Sequence, residues 1–416
     1  MITVLLDKAE FEYDIHSLVK AFYPKEEVYV STKDKEKKEE PVHYHMDVQF
    51  APEEIIFSWK RVEASEDNAN QTGITKCVAV DYTNRKETKN SLKRTLYRLL
   101  SEYTGVELPW GNLTGIRPTK IPMALLEEGK SEEEIARYMK ETYFTSDEKI
   151  KLSIEIAERE LELLHKLDYE EGYSLYIGIP FCPTTCLYCS FTSYSMSAWK
   201  NRMDDYLSAL EKELDYTAVK FAHKKLNSIY IGGGTPTTLN PKQLDRLIRK
   251  IKCSFDLSDL VEFTVEAGRP DSITEEKLKV IKNHNITRIS INPQTMKQET
   301  LDLIGRHHTV QQTIDSFYLA RELGFDNINM DIIAGLPGET PEDMEDTLRQ
   351  IALLGPDNLT VHSLAIKRAA RMGQEEREGK RLTIIQDEIG TMVEMAGNKA
   401  RQMGLFPYYL YRQKNI

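Results

Sequence analysis

The sequence predicts an α/β protein in which six parallel strands alternate with helices as a partial (β/α)6 barrel, preceded by a small α+β N-terminal domain. Three observations carry this reading. From Tyr173 onward, apolar runs of strand length recur at 173–180, 227–234, 261–268, 287–294, 327–335 and 359–366, with helical segments between them. Strand, helix, strand at this spacing implies right-handed crossovers and a parallel sheet. Polar and Gly-rich signals follow these runs, at Gly232 to Thr235, Glu266, Gln294 and Asp331, at the strand ends where such sheets hold ligands. Residues 1 to about 110 have a different texture, mixing short β-like runs with one densely charged insert.

Taken in order, "ITVLL" (Ile2 to Leu6), "VHYHMDVQF" (Val42 to Phe50), "EIIFSWK" (Glu54 to Lys60) and "CVAVDYT" (Cys77 to Thr83) are predicted strands, and about Lys86 to Glu102 a helix. The insert "STKDKEKKEEPV" (Ser31 to Val42) suits a solvated loop or hairpin tip. Residues 111–170 form a loop and helical connector: Pro109, Gly111, Gly115 and Pro118 punctuate "LPWGNLTGIRPTK", and two helices follow. Ser131 with Glu134 and Thr145 with Glu148 read as capping boxes. The second helix carries an apolar stripe at Ile150, Ile154, Ala157, Leu161, Leu164 and Leu167. The (β/α)6 core is expected over 171–370, with helices at 198–222, 241–251, 275–283, 310–323 and 341–354. Residues 371–416 are expected to open a C-terminal helical, substrate-side region that continues past Ile416.

With 40% hydrophobic and 29% charged residues the composition is that of a soluble protein. A net charge of -11 argues against general binding to nucleic acid or membrane surfaces, which needs a basic footprint. No run approaches the roughly 18 apolar residues of a membrane span, and Asp7 and Glu10 arrive too early for a signal peptide. The cytoplasm is the expected compartment. An anionic substrate must then meet a few placed cations. Lys367, Arg368, Arg371, Arg117 and Lys120 are candidates, although a basic run is more often a solvated face.

Five cysteines are too few for a disulfide scaffold in a chain of 416 residues. Cys77 and Cys253 stand apart and suit small hydrophobes. Cys182, Cys186 and Cys189 are clustered as C-x₃-C-x₂-C in "YIGIPFCPTTCLYCSFTSY". Structural zinc closes with four ligands, usually in two pairs, and here no fourth cysteine or histidine lies nearby; Phe191 stands two residues beyond Cys189. Three thiolates on one loop suit a [4Fe-4S] cluster with one open iron.

"CPTTCLYC" after one apolar strand and "GGGTP" after the next resemble the radical S-adenosylmethionine (SAM) superfamily, and residues 173–416 resemble its oxygen-independent coproporphyrinogen III oxidase group. The resemblance implies that Cys182, Cys186 and Cys189 hold the cluster and that the open iron chelates SAM, whose cleavage gives a 5′-deoxyadenosyl radical. It further implies SAM contacts from Tyr176, from Tyr188 at the adenine, and from Gly233, Gly234 and Thr235 at the methionine end through exposed N–H groups. Glu266, Gln294, Arg306 at the SAM carboxylate, Asp331 at the ribose and the backbone of Ala365 complete the implied set. Each has a duller alternative: glycines as turns, Glu266 or Asp331 as helix caps, Tyr176 as strand packing, and Arg306 with His307 and His308 as a solvated loop.

"CSF" in place of C-x-C, together with "PWGNLTGIRPTK", "RISINPQTM" and "YYLYRQKN", resembles the HemZ-type coproporphyrinogen dehydrogenase proteins. This implies oxidative decarboxylation of coproporphyrinogen III propionates to vinyl groups, with an electron donor such as flavodoxin or ferredoxin as partner. A haem chaperone of the HemW type, with His307, His308 or His362 as conceivable iron ligands, stays open. So does an RNA-modifying radical SAM enzyme, which the acidic balance disfavours.

Overall fold

The computed structural model describes residues 1–32, 42–62, 73–191, 193–367, 369–378 and 386–412. The body of the predicted charged insert (33–41), Arg368 and Gln413 to Asn415 of the terminal motif lie outside these residues. The chain divides into two compact units, Met1–Leu163 with Pro407–Ile416, and Leu164–Phe406.

In the first unit a mixed five-stranded sheet has the order β2-β1-β3-β4-β5, formed by β1 (Ile2–Leu6), β2 (Val28–Thr32), β3 (Tyr44–Phe50), β4 (Glu54–Arg61) and β5 (Ile74–Ala79). β1 runs parallel to both β2 and β3, and β3, β4 and β5 are antiparallel. Alternation decides the faces: Ile2, Val4, Leu6, Ile55, Phe57 and Trp59 are buried, with their neighbours in between less so. Helices α1 (Glu12–Phe22) and α2 (Arg85–Thr104) contribute Ile15, Leu18, Leu92, Leu96 and Leu100 to the same core.

Three further helices follow in this unit, α3 (Lys120–Glu127), α4 (Glu132–Tyr143) and α5 (Asp147–His165). The Ser131/Glu134 capping box is present. The second predicted box is replaced by a single N-terminal bond one residue on: the Lys149 N–H donates to Ser146 Oγ (3.4 Å), while Thr145 Oγ1 is buried without a partner. Ser31, assigned to the charged insert from sequence, is buried in β2. Neither α1 nor β2 was read from the sequence, and β5 begins three residues earlier than predicted.

The second unit opens with β6 (Gly172–Ile179), followed by the short pair β7 (Phe181–Cys182) and β8 (Tyr194–Ser195), helices α6 (Met196–Trp199) and α7 (Met203–Lys220), and β9 (Lys225–Gly233). Then come α8 (Pro241–Ser254), β10 (Glu262–Glu266), α9 (Glu275–Asn283), β11 (Arg288–Ser290), α10 (Gln298–Leu303), α11 (Val310–Glu322), β12 (Ile328–Ala334), α12 (Pro341–Leu354), β13 (Asn358–Ser363), α13 (Arg371–Arg377) and α14 (Gln386–Gln402). The sheet order is β6-β9-β10-β11-β12-β13 and every pairing is parallel, so strand order follows chain order, as a (β/α)6 array requires. Capping boxes at Asn240/Gln243 and Thr309/Gln312 start two of the crossover helices.

The two faces of this sheet differ. On one, Leu175, Ile177 and Ile179 of β6, Ile229 and Ile231 of β9, Phe263 and Val265 of β10, and Ile328, Met330 and Ile332 of β12 join the helices in one apolar core. Period two places Tyr176, Tyr230, Glu266, Arg288, Ser290, Asn329 and Asp331 on the other. That face is bridged by polar bonds, including Ser228 Oγ to Ser174 Oγ (2.8 Å) and Arg288 to Asn329 (3.3 Å). Parallel sheets covered on both sides carry apolar residues on both; this one reserves a polar face. Among the described residues no helix is long and apolar enough to cross a membrane.

Candidate functional site

β6 delivers the chain to the cysteine loop, whose base is closed by the parallel pairing of Phe181 with Tyr194 and Cys182 with Ser195. Cys182, Cys186 and Cys189 are unbridged; Cys186 is buried and the other two partly so. The loop's shape is set from outside, by Leu187 N–H to Ile304 O (2.9 Å) and Met372 N–H to Leu187 O (2.9 Å). Leu187 itself sits in an apolar cluster with Leu301, Ile304, Leu336, Leu364 and Met372, which keeps water from that side of the loop. Burial pushes the Cys182 and Cys189 thiols up; the Thr235 hydroxyl, 3.5 Å from Cys182 Sγ, acts in the opposite direction. Among the described residues no three His, Cys, Asp or Glu side chains converge as they would on a single metal ion. A cluster instead takes one thiolate per iron, which fits three cysteines spread along one loop.

Directly beside the loop, β9 ends in Gly232 and Gly233, and Gly234 follows. A Cβ on Gly234 would fall 2.7–2.9 Å from backbone atoms of Ile179 and Phe181, and Gly233 has φ +103°. A Cβ on Gly232 would stand 2.4 Å from the Tyr230 ring and 2.9 Å from Glu266 Oε2, so this glycine keeps open the space beside the carboxylate. The glycine run works differently from the sequence expectation of exposed donors. The N–H groups of Gly234 and Thr235 are spent on Ile179 O and Phe181 O, at 2.8 Å each. What the glycines supply is close approach.

The polar face continues the site. Tyr176, 62% exposed, stacks on Tyr230 with ring planes 7° apart and centroids at 5.7 Å. It is therefore not packed as an ordinary strand residue. Glu266 terminates β10, and burial followed by repulsion from Asp331 pushes its pKa up to about 8, against the opposing pull of Arg306. Asp331 lies in the middle of β12 rather than at its end, where Asn329 Nδ2 donates to it (2.7 Å) and His362 Nε2 stands at 3.9 Å.

Gln294 has φ +69°, the left-handed region that a non-glycine residue seldom adopts. Its N–H donates to Asp331 O (2.9 Å), its carbonyl accepts from Ile333 N–H (3.0 Å), and its buried Oε1 has no partner. Arg306, 4% exposed, is no solvated loop residue: Nη2 donates to Gly268 O (3.0 Å) and Asn292 O (2.5 Å), leaving Nε buried and unpaired. His308 is fully buried with both ring nitrogens unpaired, and burial followed by the Arg306 charge pushes its pKa down to about 3.

Cys182, Cys186, Cys189, Tyr188, Thr235, Glu266, Arg306 and Asp331 thus share one electrostatic neighbourhood, in which Tyr188 interacts with Arg306 and with two of the thiols. Tyr176 joins through Glu266, and Gln294 through the backbone of Asp331. Gly233 joins through the glycine run, whereas Ala365, just past β13, enters only as the chain neighbour of Leu364. Of the cations singled out from sequence, Arg371 stands 3.9 Å from Glu375 and Arg117 donates to Glu160 at 2.9 Å. Tyr230 and Asn292 escaped sequence reading, as did the pair Arg269 and Asp271. For Tyr230 the strand alternation held the signal, because it places this side chain on the face of Tyr176.

The fit to a cluster and SAM rests on this rim. Unpaired buried atoms (Arg306 Nε, Asn292 Oδ1, Gln294 Oε1, Ser290 Oγ) occur on adjoining loops and strand ends, where a native fold normally satisfies them. They lie with an acidic pair, a side-chain-free strand end and three thiols. A zwitterionic ligand with a sugar diol and an aromatic base meets complementary groups in such a set.

The sequence profile of the Radical SAM superfamily matches residues 176–351. The chain is 43% identical over 349 residues to the oxygen-independent coproporphyrinogen-III oxidase-like protein HemZ of Bacillus subtilis (strain 168), a match covering 82% of this chain and 69% of that protein. It is 37% identical over 239 residues to the heme chaperone HemW of the same organism, covering 56% of this chain and 62% of HemW. Among solved structures, coproporphyrinogen III oxidase (HemN) from Escherichia coli, described as a radical SAM enzyme, superposes with a TM-score of 0.50 at 29% identity. That match covers 58% of this chain and 56% of HemN.

Proposed function

Because the chain belongs to the radical SAM superfamily, in the group that holds HemZ and the oxygen-independent coproporphyrinogen III oxidases, we propose that it binds a [4Fe-4S] cluster and SAM and oxidatively decarboxylates coproporphyrinogen III propionates to vinyl groups. Each such conversion removes a β-hydrogen atom, one carbon dioxide and one further electron, and two conversions give protoporphyrinogen IX. The observation that carries the reading is the coincidence, on one rim, of the cysteine loop, the glycine strand end and the unpaired polar atoms of Asn292, Gln294 and Arg306.

Cluster and SAM, when bound, supply a one-electron cleavage that yields the radical taking the substrate hydrogen. The protein's part is placement. Cys182, Cys186 and Cys189 hold three irons. Gly234 lets the strand end approach the cysteine loop, Gly232 keeps open the space beside Glu266, and Glu266 and Asp331 would face the amino and hydroxyl groups of the ligand. The free Nε of Arg306 is the remaining donor for its carboxylate, and Tyr188 offers an aromatic face to its base. The electron donor is proposed to be a small flavin or iron–sulfur protein.

The test is anaerobic reconstitution, then reductant and SAM, with 5′-deoxyadenosine measured with and without coproporphyrinogen III. Substrate-dependent 5′-deoxyadenosine together with protoporphyrinogen IX is the expected result. Stoichiometric haem binding without turnover would replace this reading by the chaperone function named for the HemW relative.

A further inference from the structure

The sequence "GRPD" after β10 has no part in the function argued so far, and its arginine is one of the most enclosed charges in the chain. Arg269 is 3% exposed. Its Nε and Nη2 donate to the two carboxylate oxygens of Asp271 at 3.0 and 2.7 Å, and its Nη1 donates to both Thr184 O and Thr184 Oγ1 at 2.9 Å each. The Thr184 hydroxyl in turn donates to Gly305 O at 2.9 Å. Thr184 stands between Cys182 and Cys186, in the three-residue span that fixes how far apart two of the thiols are held.

We propose that Arg269 is a positioning residue of the cysteine loop: its fork, oriented by Asp271, fixes the Cys182–Cys186 span and ties it through Thr184 to the loop that carries Arg306. The argument is one of accounting. Within the loop, Cys189 N–H to Cys186 O (3.2 Å) is a single turn bond, and the apolar anchor at Leu187 lies beyond the second cysteine. The stretch from Pro183 to Thr185 therefore has Arg269 and Gly305 as its polar restraints among the described residues. A planar fork bonded at both ends loses little entropy on ordering and holds its acceptors in one geometry, which an ammonium cannot copy. Burial of the pair at Arg269 raises the cost of breaking either half, because the partner left behind would be an unpaired charge.

The restraint also brings charge. Arg269 and Arg306 are both buried beside the loop. Asp271 compensates Arg269, while Arg306 has no ion-pair partner among the described residues. Each guanidinium carries the sign that favours thiolates beside it.

This inference rests on reading the cysteines as cluster ligands, and the experiment separates the two. Wild-type, R269K and T184V chains are reconstituted anaerobically. Iron and sulfide content are measured, then iron release to a chelator, with the thermal transition of each apo-chain recorded alongside. R269K keeps the charge and loses the fork, and is expected to release iron about tenfold faster or more. T184V leaves the Arg269–Asp271 pair intact and serves if R269K does not fold; its release is expected to rise by a smaller factor, with the apo-transition unmoved. Release at the wild-type rate in a folded R269K or in T184V overturns the positioning role alone. A wild-type chain that takes up no iron overturns both readings.

Discussion

The two faces of the six-stranded sheet are built by the same strands, yet they differ in kind. The helix-covered face is apolar and closed, with Ile231, Ile289 and Ile332 at 0% exposure. The opposite face carries a stacked tyrosine pair, a carboxyl group with a raised pKa and several unpaired polar atoms. One residue of register separates them: Ile231 beside Gly232, Val265 beside Glu266, Met330 beside Asp331. Stability and chemistry are therefore allotted to alternate positions of the same strand, and substitutions at neighbouring residues are expected to report on different properties.

The comparison can be broken most completely at the cysteine loop. Replacing Cys186 by Ala is expected to abolish stable cluster uptake, read from iron content and visible absorbance, while far-ultraviolet circular dichroism stays native. On the apolar face, Ile231→Ala removes a fully buried side chain and is expected to lower stability by about 2–5 kcal/mol in denaturant titration, with SAM binding kept in whatever fraction stays folded.

Glu266→Gln sharpens the contrast through pH. A carboxyl whose folded pKa is about 8, against the model-compound value of 4.5, favours the folded apo-chain below pH 4.5, and that contribution is lost as pH rises through 8. The glutamine variant should lack this slope, a difference of at most about 5 kcal/mol across the window, and an unchanged pH profile would contradict the assignment. The smallest effect on stability is expected for Tyr176→Ala. With that side chain 62% exposed, the midpoint should move by less than about 1 kcal/mol, while SAM affinity falls measurably in calorimetry.

What the sequence reveals follows from the range of the signal. The parallel array is legible because each strand is a short apolar run and each crossover helix has its own period. Glu266, Gln294 and Asp331 are legible because they follow or interrupt such runs. Arg269 is not, since its bonds to Thr184 cross 85 positions and leave no local pattern. The environment of Arg306 is hidden for the same reason: beside two histidines it reads as solvated, and only the packing of three loops buries it. In the first unit, β2 escapes because its "VYVST" runs directly into the charged insert, which masks a buried Ser31. Asp331 lies inside its own predicted run, 327–335, so grouping it with the strand-end signals overlooked its position: pairing with β13 carries β12 on to Ala334 and leaves Asp331 in mid-strand.

Gln294 unites two penalties in a single residue, a left-handed backbone and a buried side-chain amide oxygen, Oε1, with nothing to accept from. A chain selected only to fold would shed both by placing glycine there. If the proposed SAM contact is what keeps glutamine here, Gln294→Gly is expected to melt no lower than the parent while binding SAM more weakly. The left-handed turn at Gln294, four residues past β11, is held in place by its backbone bonds to β12 at Asp331 and Ile333.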